Sequence, residues 1–357
     1  MKATLSIAAA LVPLATAATC GLKKFENLVT FGDSYTDEGR LGYFIGHNGE
    51  APPAGELLPT SSNTASGGYT WPHFVSEKSG AKSFNYAVSG ATCSNSIVER
   101  DFPLIGQPFP SVADYEVPAF KADLEFDELY GNRTADNTVY TLWIGTNDLG
   151  FGAFLSDNNK PGTTLTSFVD CVFGVFDSVY ETGGRNFVLL NIVPLEQLPL
   201  YNLPELGGTL DSQFWQNKTA YNVLEYKNKI HQYSTSVNTM LSYGASANLL
   251  VENRWPGASF TIFDVHSLLN DLIANPDELF DAPADVTGYY HHCEAQNNSN
   301  CVDSEEASSS FLWYDELHPS ARTDEIIADE FLQVIAGTSK YATTHISKKS
   351  SSKKLRK

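Results

Sequence analysis

The sequence predicts a single three-layer α/β/α sandwich around a parallel central sheet. Three observations predict it. Short apolar runs alternate with longer amphipathic stretches, the pattern of strands joined through right-handed crossovers, with the sheet covered on both faces. The chain has 357 residues, 42% hydrophobic and 12% aromatic, enough to bury a large core. No internal repeat, low-complexity linker or abrupt change of composition divides it.

Taken in order, the first strand is Asn27 to Phe31, running into a glycine at Gly32. Phe84 to Val88 is the second and stops at Ser89-Gly90-Ala91. Val139 to Ile144 is the third, closed by Gly145-Thr146-Asn147-Asp148. Leu165 to Glu181 then carries apolar residues at helical spacing, with Gly183-Gly184 as a stop signal. Asn186 to Ile192 reads as the fourth strand, Tyr221 to Leu241 as a second long helix, and Phe260 to Val265 as the fifth strand. Ser320 to Ile335 is a third helix, with Pro319 near its start.

The ends differ from the body. Lys2, the apolar run Leu5 to Leu14 and the small-residue site Ala15-Thr16-Ala17-Ala18 read as a secretory signal peptide over residues 1–18. The run is too short to span a bilayer, and no later segment approaches the roughly 20 apolar residues that spanning requires. Sequons at Asn132, Asn217 and Asn297 agree with export to an extracellular setting. Five cysteines suit an oxidising compartment, with Cys293 and Cys301 expected to pair across a polar segment; Cys20, Cys93 and Cys171 leave one thiol over. The folded domain is expected over 19–338. The tail, 339–357, is expected to be solvated and disordered, ending SKKSSSKKLRK from Ser347, with adhesion to an acidic cell wall or matrix as the sharper alternative.

Charge excludes several partners. Forty-two acidic residues face 23 basic ones, a formal charge of −19. Without Lys2 and the six basic residues of the tail, 16 remain against those 42. Nucleic acid and anionic membrane surfaces need clustered Lys and Arg, so neither is expected as a partner.

The unusual residues fall where the strands end, and parallel sheets bind ligands beyond their carboxyl ends. Gly32-Asp33-Ser34 puts a hydroxyl at the mouth of the sheet, Gly90 permits close backbone approach, and Asn147 supplies a carboxamide. Late in the chain, Asp315 and His318 offer an acid and an imidazole three residues apart. A serine hydroxyl is a weak nucleophile without a base beside it. His318 can take the proton of Ser34, and Asp315 can hold the imidazole tautomer and stabilise the imidazolium. Backbone N–H groups of Ser34 and Gly90, with the side chain of Asn147, can form an oxyanion hole. Singly, Gly-Asp-Ser is a common turn, the Asn147 segment an Asx turn, and Asp315-x-x-His318 a helix start. Their combination in this order favours catalysis.

With FGDSYTDEGR, WIGTNDLG and the DELHPS segment in view, the chain resembles the GDSL, or SGNH, serine hydrolases, whose four blocks centre on Ser, Gly, Asn and His. The blocks match at Ser34, Gly90, Asn147 and His318, with Asp315 at the family's acid position, and the resemblance spans about Phe25 to Gly337. It implies a flavodoxin-like sandwich and ester hydrolysis through an acyl-enzyme, with no cofactor and no metal. More narrowly, with LLNIVPLEQLPLY added, the chain looks like the fungal acetylesterases of carbohydrate esterase family 16. Tyr35 stands where many members have Leu, and the basic tail is unusual for the group.

Other catalytic architectures lack their signatures. Neither Gly-x-Ser-x-Gly nor His-Glu-x-x-His occurs. His291-His292 beside Cys293 reads as solvated loop rather than metal site. The acidic body favours neutral esters over polygalacturonate or anionic lipid, and Tyr43, Phe44, Trp71 and Trp255 are candidates for stacking on sugars, with core packing as the alternative. The expected function is a secreted serine esterase removing acetyl groups from hemicellulose-derived oligosaccharides. The alternatives are a lipase or lysophospholipase acting on lipid esters, and a non-catalytic secreted carbohydrate-binding protein on the same fold.

Overall fold

The computed structural model describes residues 22–295 and 299–349. The signal-peptide segment 1–18, Cys20, the Asn297 sequon and the last residues of the tail lie outside the described residues. Asn132 and Asn217, the acceptors of the other two sequons, are exposed.

Six strands form the central sheet: β1 (Asn27–Gly32), β2 (Lys82–Asn85), β3 (Thr138–Trp143), β4 (Asn186–Leu190), β5 (Ser259–Phe263) and β6 (Ala342–Ile346), in the spatial order β6-β5-β4-β3-β1-β2. The five expected strands are the parallel ones. β1, β3, β4 and β5 are buried along their whole length, which is why they read as continuous apolar runs. The ladder of β2 stops at Asn85, but Tyr86 and Val88 still donate to Thr30 and Gly32 of β1, at 2.9 and 3.1 Å. From β1 the chain first goes to one side (β2) and then to the other (β3, β4, β5). That reversal opens a crevice at the carboxyl ends of β1 and β3.

Helices cover both faces. α1 (Arg40–Gly46), α2 (Trp71–Ser79), α3 (Val117–Asp123), α4 (Leu165–Glu181), α5 (Val223–Ser246), α6 (Val265–Ala274) and α7 (Ala321–Ala336) are the main ones. On β5, Phe260 meets Phe173 and Phe176 of α4, whereas Phe263 meets Phe331 of α7. Residues of opposite parity point to opposite faces of a strand, so α4 and α7 lie on different sides of the sheet. α4 begins at a capping box in which Thr164 and Ser167 bond reciprocally, and Gly183 turns the chain just beyond its end. Ser320 caps α7 and Gly337 closes it at φ +73°. α5 runs past the expected end at Leu241 because Gly244 lies against the Phe173 ring, 2.6 Å from where a Cβ would stand. Here glycine serves helix packing rather than termination.

Cys293 pairs with Cys301 as expected, and Cys93 pairs with Cys171 across 78 residues. The domain boundary expected at 338 is too early. β6 pairs antiparallel with β5 over Ala342–Ile346, and the Thr344 and Thr261 hydroxyls meet across the ladder at 2.9 Å. Ser347, expected in a solvated tail, is buried; its N–H donates to the Ala258 carbonyl, and its Oγ donates to the Trp255 carbonyl and accepts from the Ala258 N–H. The strand is polar and has a distant partner, so no local pattern announces it.

Candidate active site

At the end of β1, Gly32 lies so close to β3 that a Cβ would fall 2.3 Å from the Trp143 carbonyl oxygen. Only glycine lets the strand finish there and the next residues turn over the sheet. The Gly32 and Val88 N–H groups both donate to the buried Glu116 carboxyl, at 2.9 and 3.2 Å, which braces β1 against the segment after β2. Asp37 ties the serine loop to the Gly90 turn. One oxygen accepts from Gly39 and Arg40, the other from Leu41 and, at 2.8 Å, from Ser89. Gly90 adopts φ +87°, and a Cβ there would lie 2.3 Å from the Phe109 ring.

Across this crevice, Ser34 Oγ lies 2.9 Å from His318 Nε2, and His318 Nδ1 lies 2.8 and 2.9 Å from the two oxygens of Asp315. Asp315 Oδ1 also accepts from the Leu317 and His318 N–H groups, both at 2.8 Å. A carboxylate can only accept, so Nδ1 carries the hydrogen and Nε2 presents its lone pair to the serine hydroxyl. The Asp315 turn is therefore an acid–imidazole clamp, not a helix start; α7 begins three residues after His318. All three side chains are buried.

The expected oxyanion donors share one condition. The Ser34 N–H, the Gly90 N–H and one N–H of the Asn147 amide have no hydrogen-bond partner among the described residues. The other Asn147 N–H donates to the Ala91 carbonyl at 2.9 Å. Its Oδ1 accepts from Arg100 Nη1 at 2.7 Å, and the same nitrogen donates to the Gly90 carbonyl at 2.9 Å. Guanidinium only donates and a carbonyl only accepts, so these two bonds fix which way the amide faces. Asp148, next in the chain, accepts from the Cys93 N–H at 3.0 Å and so pins the disulfide-linked loop to the same turn.

Three unpaired donors beside a serine–imidazole–carboxylate chain match the needs of acyl transfer. The sequence decides the family: residues 28–331 match GDSL-like lipase/acylhydrolase. The chain belongs to that family. It is a carboxylic ester hydrolase. It is 48% identical over 319 residues to an acetylesterase of Hypocrea jecorina, covering 89% of this chain and 91% of that one. A second acetylesterase, from Thermothelomyces thermophilus, is 27% identical over 84% of this chain and 85% of its own length. Among solved structures, a catalytic mutant of an acetylxylan esterase from Geobacillus stearothermophilus covers 87% of this chain and 94% of its own, at 16% identity and a TM-score of 0.39.

The site of this GDSL-like acylhydrolase gathers several buried acids, Asp33, Asp148, Asp315 and Glu316. Burial opposes charge on His318, but Asp315, Asp33 and Glu316 outweigh it and raise its pKa. Burial pushes Asp33 up to about 7, although the Tyr35 N–H, His318 and Arg100 favour its ionised form. Asp148 rises to about 7 by burial, against the Cys93 N–H, with Asp33 adding to the rise. Burial also lowers Arg100, while Tyr201, Asp148 and Asp33 hold its charge.

Several contributors went unforeseen. Arg100 sits in an irregular loop where no periodicity marks it. Tyr35, at the position where the family often has Leu, donates its hydroxyl to the Leu317 carbonyl at 2.7 Å and sets its ring edge-on to His318 at 5.9 Å. The Phe214 ring meets His318 from another direction at 5.5 Å. Three of the four aromatic candidates for sugar stacking take the core-packing alternative. Phe44, Trp71 and Trp255 are at most 2% exposed and belong to the core, and Tyr43 is half-buried and stacked on His47. Among the described residues one metal-type group gathers, His291 with Cys293 and Cys301. Its two sulfurs are bonded to each other and His291 Nδ1 is taken by Asp303 at 2.6 Å, so the group offers no thiolate.

Proposed function

We propose that this chain is a secreted serine acetylesterase that removes acetyl groups from hemicellulose-derived oligosaccharides, with Ser34, His318 and Asp315 as its catalytic residues. The single observation that carries the reading is the unbroken chain Ser34 Oγ, His318, Asp315, with contacts of 2.9 and 2.8 Å. In this mechanism His318 Nε2 takes the hydroxyl proton as Ser34 Oγ attacks the ester carbonyl carbon. The charge formed on the carbonyl oxygen is held by the N–H groups of Ser34, Gly90 and Asn147. Each such donor is typically worth about 3 kcal/mol. Collapse of the tetrahedral intermediate breaks the bond to the sugar oxygen, which takes the proton from the His318 imidazolium and departs as an alcohol. Water then gives a proton to His318 and its oxygen attacks the acetyl-serine. The proton returns to Ser34 Oγ, and acetic acid leaves.

The similarity to two acetylesterases supports the small acyl group. The acidic body supports a neutral alcohol portion. Export is supported by the start of the chain, the exposed sequons and two disulfides. Wild-type protein and Ser34→Ala are to be compared on 4-nitrophenyl acetate and on acetylated xylo-oligosaccharides, following nitrophenol and acetate. Wild type should release acetate from both, the variant from neither, with the same thermal melt. Cleavage of the nitrophenyl ester alone overturns the sugar assignment, and faster turnover of long-chain than of acetyl esters favours a lipase.

A further inference from the structure

A second cavity of about 370 Å³ opens between α5 and α6, at the carboxyl ends of β4 and β5. That size lies in the range of about 300–1,000 Å³ usual for small-molecule sites. It is not the crevice of Ser34: strands in a sheet lie about 4.8 Å apart, and β3 separates β4 from β1, so the two openings are roughly 10–15 Å apart along the same edge.

Its floor is rigid. Asn238 holds both backbone groups of Ile192, accepting from the N–H at 2.9 Å and donating to the carbonyl at 2.8 Å. His266 Nδ1 lies 3.1 Å from the same carbonyl, which fixes the hydrogen on Nδ1 and leaves Nε2 as an acceptor. Asn191 donates to Asp264 at 2.7 Å and accepts from the His266 N–H at 3.0 Å. The rim is the reverse. The hydroxyls of Thr235, Ser242, Tyr243 and Thr343 make no hydrogen bond to any described residue.

The surface around it is also out of character. Residues 232–251 contain no Asp, Glu, Lys or Arg, in a chain of net charge −19. Thr235, Thr239, Ser242 and Tyr243 nonetheless face outward on α5, and Tyr243 is 73% exposed. With no Lys or Arg in the lining, an anion has no counter-charge. The one carboxylate, Asp264, already accepts from Asn191 and Ser267, so a cation has no free ligand set. An apolar ligand would strip water from unpaired hydroxyls without replacing it. Unpaired hydroxyls, fixed amide and imidazole groups and an exposed aromatic ring suit a neutral polyhydroxylated ring, which can bond at its edges and stack on its face.

We propose that this groove binds a neutral saccharide unit, apart from the serine that cleaves esters. The lining chemistry carries the site independently of the esterase reading, and 4-nitrophenyl acetate turnover tests that reading separately. The measurement is titration of the full-length protein with unsubstituted xylotriose and cellotriose, which carry no ester, by saturation-transfer NMR and calorimetry. Tyr243→Ala and Ser242→Asp are titrated in parallel, and circular dichroism melts establish that each is folded. Binding by the wild type, weakened about tenfold or more in either variant, is the expected result. Absence of binding to both saccharides, or equal affinity in wild type and both variants, overturns it.

Discussion

Arg100 spends one nitrogen on two acceptors, the Gly90 carbonyl and Asn147 Oδ1, which belong to two of the three proposed oxyanion donors. Its Cζ lies over the ring of Phe109, 5.1 Å from the centroid, and the same ring packs over Gly90. Replacing it with Met should free the Asn147 amide to rotate and leave the Gly90 carbonyl unpaired. For Arg100→Met we expect kcat on 4-nitrophenyl acetate to fall about 100-fold with KM changed far less, because the oxyanion contact forms only in the transition state. Equal loss through KM alone would show that Arg100 acts on substrate binding. A second expectation concerns His318. Burial works against its charge, but Asp315, Asp33 and Glu316 raise the pKa above 6.5. Only the neutral imidazole can take the Ser34 proton, so kcat/KM should climb with pH through a midpoint above 6.5. A midpoint below the ordinary imidazole value would contradict this assignment of charges. Ser34, Gly90, Asn147, Asp315 and His318 were legible because each stands where chemistry or backbone geometry narrows the choice of residue. Arg100 and Tyr35 were not: an arginine in an irregular loop and a tyrosine in a turn acquire their roles only through partners distant in the chain.

Elements were legible in proportion to how locally they are specified. α4 was expected over Leu165 to Glu181 and spans those residues, because a capping box starts it, an apolar stripe repeats through it and a glycine follows it. Four of the parallel strands, β1, β3, β4 and β5, announced themselves by being buried on both faces. β6 did not. Its ATTHI segment is polar, it runs antiparallel at the sheet's edge, and its partner lies some 80 residues earlier. Its contribution can be measured. Ending the chain after Gly337 would strip β5 of its outer ladder and leave backbone groups of Trp255 and Ala258 without Ser347. At about 1 kcal/mol for each hydrogen bond, we expect a loss of at least ~3 kcal/mol in urea unfolding. The Ser34 crevice is three strands away, so esterase turnover of the folded fraction should survive. An unchanged urea midpoint would mean that β6 only rests on the edge it covers.

The whole molecule keeps protons that its unfolded chain would release. Burial, the leading cause in each case, raises Asp33, Glu38, Asp148 and Glu316 to about 7, whereas unfolded carboxyls titrate near 4. Between those values the unfolded state binds fewer protons than the folded one, so stability is fully present below about 4 to 4.5 and drains away as pH rises through 7. For Asp33 or Asp148 alone the shift is worth on the order of 4 kcal/mol, and the pair contributes less than twice that because each raises or is raised by the other's field. The formal charge of −19 adds self-repulsion in the same direction. Pairing with lysines or arginines lowers the pKa of Glu26, Asp136, Asp271 and Glu325, but these groups cost stability only at still lower pH. On the proposed mechanism catalysis asks for a neutral His318 while the fold asks for protonated acids, so activity and stability should move in opposite directions as pH rises. Thermal melts followed by tryptophan fluorescence should show Tm falling steadily from about pH 5 to about pH 8. Asp148→Asn, which cannot ionise but can still accept from Cys93, should flatten that slope; a Tm that rises over the same interval would mean that these carboxyls are ionised in the fold and paired with Arg100 and its neighbours.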